Sequence, residues 1–343
     1  MAPLSRRGFV LAAAAAAAPL RAAARPLIAG WSEIGLARFR QQARDLGVLG
    51  LVVVSGGQTL VSDGEVSRPL RIASIRKSIL SALYGMIEPR PDLDRTIGSL
   101  GIDDNTHLTD LEKTATIRQL LQARSGIYIP SSAESPAMKA ARPRRGSHPP
   151  GSFWYYNNWD FNALGEIYQR LTGHSVFTAV EHQLAIPLGF EDFDPMRDLR
   201  FGYDPEAPRF GAYNMWMSAR DLAKFGRLYL DRGVWQGRRL IPEAWIDEST
   251  RAWSPADRSG LESGYGYLWW VTTTLDGADP AGIPVGTYLA AGNGGRYVIV
   301  LPSLDTVVAI QPDEQPGKPP VPLYADKQAL DRLIKTLIAA HRS

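Results

Sequence analysis

The chain has 343 residues, of which 45% are hydrophobic and 21% charged, a balance typical of a globular protein with a sizeable core. Three arginines and no acidic residue precede residue 25, and the rest of the chain carries 35 basic and 35 acidic residues, which argues against binding to nucleic acid or to an anionic membrane. The sequence contains no cysteine, so disulfide bonds, thiolate metal sites and a cysteine nucleophile are excluded.

The first 24 residues have the order of an export signal. The paired arginines Arg6 and Arg7 precede an aromatic residue, then the apolar run Leu11–Ala18, then small residues at Ala22–Ala24 that suit cleavage. This pattern predicts a twin-arginine signal peptide over residues 1–24, read by the twin-arginine export machinery, and a periplasmic or secreted protein. The apolar run is too short for a transmembrane segment. The alternative is a cytoplasmic protein with a disordered, alanine-rich start.

Before residue 90, the spacing of apolar residues and turn formers predicts a helix, a hairpin and a second helix. These are a helix over Trp31–Leu46, a hairpin of Leu51–Val54 and Gln58–Val61, and a helix over Ile75–Ile87 that Pro89 ends. The short extended run Leu70–Ala73 comes just before the second helix. Ser74 is therefore expected at the amino-terminal end of a helix.

The rest of the chain divides into a helical middle, rich in proline and glycine, and a tail of strands. The main predictions are helices at Ile117–Leu121, Phe161–Leu171 and Ser218–Leu228, strands at Tyr267–Thr273, Thr287–Ala291, Tyr297–Leu301 and Thr306–Gln311, and a helix at Leu330–Ile338. This order predicts an α+β fold, an α/β sandwich whose antiparallel sheet is formed by both ends of the chain and flanked by helices. The α/β part is expected at about 25–90 and 260–343 and the inserted helical part at about 91–259, with the active site between them.

Ser74 and Lys77 form a Ser-x-x-Lys motif, the first candidate for chemistry. Residues three apart share a helix face, so the lysine amine can reach the serine hydroxyl. A desolvated lysine can take the serine proton, and the amino-terminal end of a helix favours a developing oxyanion. The motif is short, but none of the other six lysines has a serine three residues before it.

The second candidate is the segment Trp154–Asn158, which contains two overlapping Tyr-x-Asn registers. A tyrosine near the serine can pass protons to a leaving group and activate water, and an asparagine can hold the lysine or a substrate amide. The alternative for this segment alone is an aromatic turn that packs in the core.

With these two elements, the chain resembles the superfamily of serine beta-lactamases, penicillin-binding proteins and esterases, particularly its class C-like branch, over about residues 50–311. The resemblance rests on five ordered segments: Leu70–Ser78, Leu120–Ile127, Pro150–Asn158, Met217–Leu222 and Tyr265–Trp270. In this family a glycine lies seven residues after the asparagine, as Gly165 does after Asn158. The resemblance therefore implies Ser74, Lys77 and Tyr156 as catalytic residues and Asn158 as a substrate-binding residue.

The family's third motif is a Lys-Thr-Gly-like or His-x-Gly-like triplet on an edge strand, and the backbone N–H after it completes the oxyanion hole. We align Ala290–Gly292 with this triplet, which places Gly292 and the N–H of Asn293 at the oxyanion site; a shift of three residues towards Arg296 is the other register. No lysine or histidine occupies the first position. This departure weakens a beta-lactam or D-alanyl peptide assignment and favours an ester or a small amide.

The charge missing from the triplet has two candidate replacements in the sequence. One is Arg296, and the other is the cluster of Arg142, Arg144 and Arg145 that precedes His148. For this cluster, the alternative is a solvated loop.

The sequence thus predicts a serine hydrolase that forms an acyl-enzyme at Ser74 and acts on a small-molecule ester, amide or lactam. No cofactor and no metal are expected, because the chain lacks nucleotide-binding and His-Glu-x-x-His motifs. The alternatives are a beta-lactamase or D-alanyl peptidase, or a ligand sensor of the same fold that does not turn over.

Overall fold

A computed structural model describes residues 30–202, 209–256, 258–315, 317–326 and 328–341. The signal peptide predicted for residues 1–24 lies outside the described residues. Within them, no helix is long and apolar enough to cross a membrane.

Most of the α-helices lie in the middle of the chain. They are α1 Glu33–Asp45, α2 Ile75–Gly85, α3 Ile117–Leu121, α4 Pro136–Ala141, α5 Asn158–Thr172, α6 Val176–Ala179, α7 Ile186–Leu188, α8 Pro195–Asp198, α9 Ala219–Leu230, α10 Glu243–Ser249, α11 Pro322–Ala325 and α12 Ala329–Ala340. A π-helical segment, Val180–Ala185, joins α6 to α7. Side-chain caps begin several of these helices: Ser218 accepts a hydrogen bond from Asp221 N at 3.2 Å, as the sequence indicates for α9.

Strands occur near both ends of the described chain, and short strands also lie within its middle. They are β1 Val48–Ser55, β2 Gln58–Gly64, β3 Leu70–Arg71, β4 Leu199–Gly202, β5 Ala212–Met217, β6 Val234–Trp235, β7 Arg238–Arg239, β8 Ser254–Pro255, β9 Gly264–Tyr265, β10 Trp270–Val271, β11 Tyr288–Gly292, β12 Arg296–Leu301 and β13 Thr306–Pro312.

One eight-stranded antiparallel sheet has the order β2-β1-β13-β12-β11-β10-β9-β8. The amino-terminal hairpin joins the carboxyl-terminal strands through β1 and β13, with Val53 opposite Val308. The predicted α+β fold, with a sheet built from both ends of the chain, is confirmed. The division at residues 90 and 260 stays a prediction, and the sheet already includes β8.

The continuous strand predicted over Tyr267–Thr273 is wrong. This part of the chain is the second half of a tight hairpin, in which Trp270 pairs with Tyr265. The turn places Leu268 at a φ of 64°, a left-handed conformation that alternating side-chain patterns do not reveal. Contacts distant in sequence hold it, because Leu268 N donates to Leu121 O at 3.1 Å.

Helix α2 connects the large sheet to the helical region. All of its residues are buried, and it contacts β11 and β12 as well as α5 and α10. Ile72 N donates to Met215 O at 2.9 Å, which ties the entry of α2 to β5. The amino-terminal end of α2 is therefore fixed where the two parts of the fold meet.

Candidate active site

Ser74 lies immediately before the first turn of α2, as the sequence predicts. The preceding residue, Ala73, has a φ of 47°, a conformation that L-residues adopt only when their surroundings impose it. This turn ends the β3 segment and starts the helix at the serine. The hydroxyl therefore lies at the positive end of the helix dipole.

Lys77 meets the serine from the same helix. Its Nζ lies 2.8 Å from Ser74 Oγ and 2.8 Å from the hydroxyl of Tyr156. The residue is 2% exposed, and its amine also lies over the rings of Tyr156 and Phe161, 4.6 and 4.8 Å from their centroids. Burial, helped by the adjacent Arg76 guanidinium, holds the pKa of Lys77 well below its usual value. The amine is thus positioned to act as a base.

Tyr156, and not Tyr155, is the tyrosine beside the serine. The Tyr155 hydroxyl instead donates to Met138 O at 2.9 Å. Burial raises the pKa of Tyr156 to about 12, although a hydrogen bond with Ser74 opposes the shift. Tyr156 is therefore a neutral phenol at ordinary pH, able to give a proton and receive one.

Aromatic rings surround Tyr156. Trp270 from β10 stacks on it, with ring centroids 5.3 Å apart, and Tyr265 from β9 meets its edge at 5.9 Å. Phe161 from α5 lies 4.9 Å from it. These rings exclude water from the lysine and the tyrosine, which keeps their electrostatic interactions strong.

The two asparagines after Tyr156 have different surroundings. Asn157 caps α5 by accepting from Trp159 N at 3.2 Å, and its amide donates to Ile127 O at 2.7 Å. Asn158 donates to Ala133 O at 2.7 Å, and its buried Oδ1 has no partner among the described residues. Asn158 therefore forms no hydrogen bond with Ser74 or Lys77 among the described residues, and its side-chain oxygen is left as an unused acceptor.

The packing around Gly165 explains why a glycine lies seven residues after Asn158. A Cβ at this position would lie 3.1 Å from two ring carbons of Tyr213. Because β5 packs this closely against α5, a residue without a side chain is favoured seven positions after Asn158.

The end of β11 lies against the backbone that leads into Ser74. A Cβ on Gly292 would lie 2.5 Å from Ile72 O. Among the described residues, neither the N–H of Ser74 nor that of Asn293 donates a hydrogen bond. Two unused N–H groups close to the nucleophile are what an oxyanion hole requires.

Asn293 is held by its other groups. Its carbonyl accepts from Arg296, and its side-chain oxygen accepts from the hydroxyl of Tyr324. Arg296 is buried and pairs with Glu314. The β11–β12 turn is thus fixed from both sides.

The cations considered as replacements for the missing charge of the triplet mostly have other partners. Arg296 pairs with Glu314. In the cluster, Arg142 pairs with Glu134 at 2.6 Å, and Arg145 pairs with Glu112 at 2.7 Å. Arg144 and Arg145 of the cluster are exposed, and Arg142 is half-buried. Arg142, Arg145 and Arg296 therefore have structural roles.

A family model described as Beta-lactamase matches residues 36–330, most of the chain. The chain belongs to the beta-lactamase family. This family consists of serine hydrolases related to beta-lactamases and penicillin-binding proteins, as the sequence motifs indicate.

Similar proteins agree on the fold. A putative 6-aminohexanoate-dimer hydrolase from Bacillus anthracis is 19% identical with a TM-score of 0.62, and the match covers 88% of this chain and 80% of that one. A putative beta-lactamase from Bacteroides dorei is 16% identical with a TM-score of 0.66, covering 90% and 99%. An uncharacterised protein of Alkalihalophilus pseudofirmus is 24% identical, and the match spans about half of each chain, 49% of this one and 54% of that one.

Two features of this beta-lactamase-family site are not apparent from the sequence motifs. Arg76 lies within Ser-x-x-Lys and is buried, although an arginine between motif residues would ordinarily be expected at the surface. Trp270 stacks on Tyr156 from a hairpin that the sequence does not predict. For Arg76 the only available signal is the charge next to the lysine, and for Trp270 it is the segment Tyr265–Trp270 of the family resemblance, which does not indicate the stack on Tyr156.

Proposed function

We propose that the protein is an exported serine hydrolase that cleaves an ester or amide bond through an acyl-enzyme on Ser74. The observation that carries this proposal is the position of the buried Lys77 amine, 2.8 Å from both Ser74 Oγ and the hydroxyl of Tyr156. A nucleophile, its base and a second proton carrier within hydrogen-bond distance form the set that acyl transfer needs.

In the first half-reaction, Ser74 Oγ attacks the substrate carbonyl carbon and its proton passes to the neutral amine of Lys77. The carbonyl electron pair moves to the oxygen, which the N–H groups of Ser74 and Asn293 stabilise. When the intermediate collapses, the leaving alkoxide or amide nitrogen takes the proton of Tyr156, and the Lys77 ammonium returns a proton to the tyrosine.

In the second half-reaction, water attacks the acyl carbon. The water proton passes through the hydroxyl of Tyr156 to the neutral amine of Lys77. The bond between the acyl carbon and Ser74 Oγ then breaks, and the Lys77 ammonium gives its proton to Oγ, which restores the resting enzyme. The unpartnered Oδ1 of Asn158 is the acceptor that we assign to a substrate N–H or hydroxyl, because a buried acceptor without a partner is costly until something fills it.

An ester or small amide is the substrate class that the site supports best. Ala290 begins the strand triplet, is buried and carries no charge, so the residue that would bind a lactam or peptide carboxylate in related proteins is missing. An amide of a short oligomer also agrees with the similarity in fold to the putative 6-aminohexanoate-dimer hydrolase from Bacillus anthracis.

The test is intact-mass spectrometry of the mature chain after exposure to a fluorophosphonate and, separately, to a p-nitrophenyl acyl ester. We expect one adduct at Ser74, steady ester turnover, and loss of both in Ser74→Ala. Lys77→Met and Tyr156→Phe should each slow labelling or turnover by about 10²–10⁴-fold. Ser81→Ala is the matched control, because Ser81 is buried on the same helix and its hydroxyl has no hydrogen-bond partner among the described residues.

The same experiment separates an enzyme from a sensor. Product that stops at one equivalent per protein, with the acyl group retained on Ser74, would indicate a sensor that does not turn over. An unmodified Ser74, or a Ser74→Ala variant as active as the wild type, would overturn the proposal.

Export through the twin-arginine pathway is the second part of the proposal and rests on the sequence of residues 1–24 alone. Expression of the full chain in a bacterium with this pathway should give mature protein in the periplasm. Replacement of both Arg6 and Arg7 by lysine should leave the precursor in the cytoplasm, and an unchanged distribution would contradict this assignment.

A further inference from the structure

Arg76 is a buried cation without a counter-ion. It is 3% exposed, and no carboxylate of the described residues forms an ion pair with it. One guanidinium nitrogen donates to Asn162 Oδ1 at 2.9 Å, and the group lies 4.2 Å from the ring centroid of Tyr213. In the part of the chain that the structure describes, the other terminal nitrogen has no hydrogen-bond partner.

Such an arrangement is costly for the fold. A buried charge usually carries an ion partner, and arginine cannot escape the cost by losing its proton. An amide acceptor and an aromatic face compensate only part of the lost hydration. A leucine or methionine would fill a similar volume at lower cost, so packing alone does not account for the charge.

The position of the charge supplies a reason. Arg76 directly precedes Lys77, and both side chains are buried at the junction of α2, α5 and β5. A positive charge held there disfavours a second positive charge on the lysine. We propose that Arg76 is a positioning residue that acts through Lys77: its fixed charge keeps the lysine amine unprotonated and sets the pH at which Ser74 becomes nucleophilic. This inference rests on the proposed function.

The other ionisable groups around this pair do not compete with Arg76. The ionisable groups around it are Tyr156 before α5, Asp160 on α5, Tyr213 on β5 and Tyr265 on β9, with Arg71 on β3 as a second cation that interacts with Arg76, and with Glu262 and Arg258 interacting with Tyr156. Burial raises the pKa of each of the three tyrosines and of Asp160. The three tyrosines therefore stay neutral over the pH range of the test, Asp160 keeps its proton to a higher pH than an ordinary aspartate, and Arg76 remains the fixed charge closest in sequence to the lysine.

The test measures the rate at which a fluorophosphonate labels Ser74, from pH 5 to pH 10, in the full mature chain. In the wild type the rate should rise as Lys77 loses its proton. In Arg76→Met, we expect this rise to move to higher pH by about one unit or more, because the repelling charge is gone.

Two variants at Asn162 keep the test independent of how well Arg76→Met folds. Asn162→Asp places a carboxylate on the guanidinium, which neutralises it, so the rise should move in the same direction. Asn162→Ala removes the hydrogen bond but keeps the charge, so the midpoint should stay at the wild-type pH.

The outcomes separate this inference from the proposed function. Labelling with an unchanged midpoint in Arg76→Met and Asn162→Asp, even at a lower rate, would overturn the inference alone and leave Arg76 a purely structural residue. A wild-type chain unlabelled at Ser74 at every pH would overturn the proposed function and this inference with it.

Discussion

The indole of Trp270 is stacked on the phenol of Tyr156, with ring planes 20° from parallel and centroids 5.3 Å apart. Trp270 belongs to β10 of the large sheet, and Tyr156 precedes α5 of the helical region. The stack therefore joins the two parts of the fold at the site and restricts the direction of the tyrosine hydroxyl.

Trp270→Ala should impair both stability and catalysis. Loss of a buried indole should lower the free energy of unfolding by about 3–5 kcal/mol. Freed from its stacking partner, Tyr156 should also be less well oriented, and kcat should fall by about tenfold or more. Urea unfolding and steady-state ester hydrolysis measure the two effects.

The matched control for Trp270 is Trp253→Ala. Trp253 stacks on Tyr267 with planes 14° apart, and neither ring contacts Ser74, Lys77 or Tyr156. This change should reduce stability and leave kcat unchanged. Equal losses of kcat in the two variants would mean that the effect on catalysis is only a consequence of instability.

The sequence predicts the site as far as local pattern determines it. Ser74 at the start of a helix follows from the apolar spacing of α2, whereas Tyr156 follows only from the resemblance to the family, in which a glycine lies seven residues after the asparagine, as Gly165 does after Asn158. The Trp270 hairpin is not predicted, because its turn at Leu268 depends on a hydrogen bond to Leu121, which lies far away in sequence. Burial of a charged residue such as Arg76 likewise results from tertiary packing, which the sequence pattern does not show.

Lys77→Met should change the pH dependence of stability in a defined direction. The pKa of Lys77 is lowered in the folded state, so between that pKa and its unfolded value of about 10.4 the unfolded chain binds more protons. Wild-type stability therefore rises with pH in this window, by at most about 1.4 kcal/mol per unit, and the variant lacks this contribution.

Urea unfolding of both proteins at pH 7.5, 8.5 and 9.5 tests this. The stability of the wild type relative to Lys77→Met should increase with pH, as other titrating groups cancel in the difference. A difference that does not change with pH would mean that Lys77 is protonated in the folded protein.

Asp160→Asn should stabilise the protein increasingly as pH rises. Asp160 is buried; its Oδ1 accepts from Ser125 Oγ at 2.6 Å and from Asn157 Nδ2 at 2.8 Å, while Oδ2 has no hydrogen-bond partner within the described residues. Burial raises its pKa well above the usual value, so the folded state holds a proton that the unfolded chain loses above about pH 4. Asparagine keeps the acceptor oxygen and removes this titration.

Thermal and urea unfolding from pH 4 to pH 8 measure the change. The stability of Asp160→Asn relative to the wild type should grow with pH until the pH exceeds the pKa of Asp160 in the folded wild type. Asp221→Asn is the contrast: both of its oxygens accept backbone N–H groups, so the amide would lose an acceptor at a cost of about 1–3 kcal/mol. A pH-independent difference at Asp160 would show that this carboxyl is ionised in the fold.

Gly292→Ala should weaken the proposed oxyanion site. The new Cβ would lie 2.5 Å from both Ile72 O and Arg296 Cγ, so β11 must move away from the segment that leads into Ser74. We expect a loss of about 1–3 kcal/mol in stability and a fall in the rate of Ser74 labelling of tenfold or more, since one oxyanion donor is typically worth 10²–10³-fold.

Gly237→Ala provides the control, because its Cβ would meet nothing within 4 Å and its φ of 76° adds only backbone strain of about 1–2 kcal/mol. It should lose stability and label at the wild-type rate. If Gly292→Ala labelled as fast as Gly237→Ala, the N–H of Asn293 would not be the second donor. Such a result would mean that the position of β11 does not affect the oxyanion. The other alignment of the strand triplet, shifted three residues towards Arg296, would then be tested.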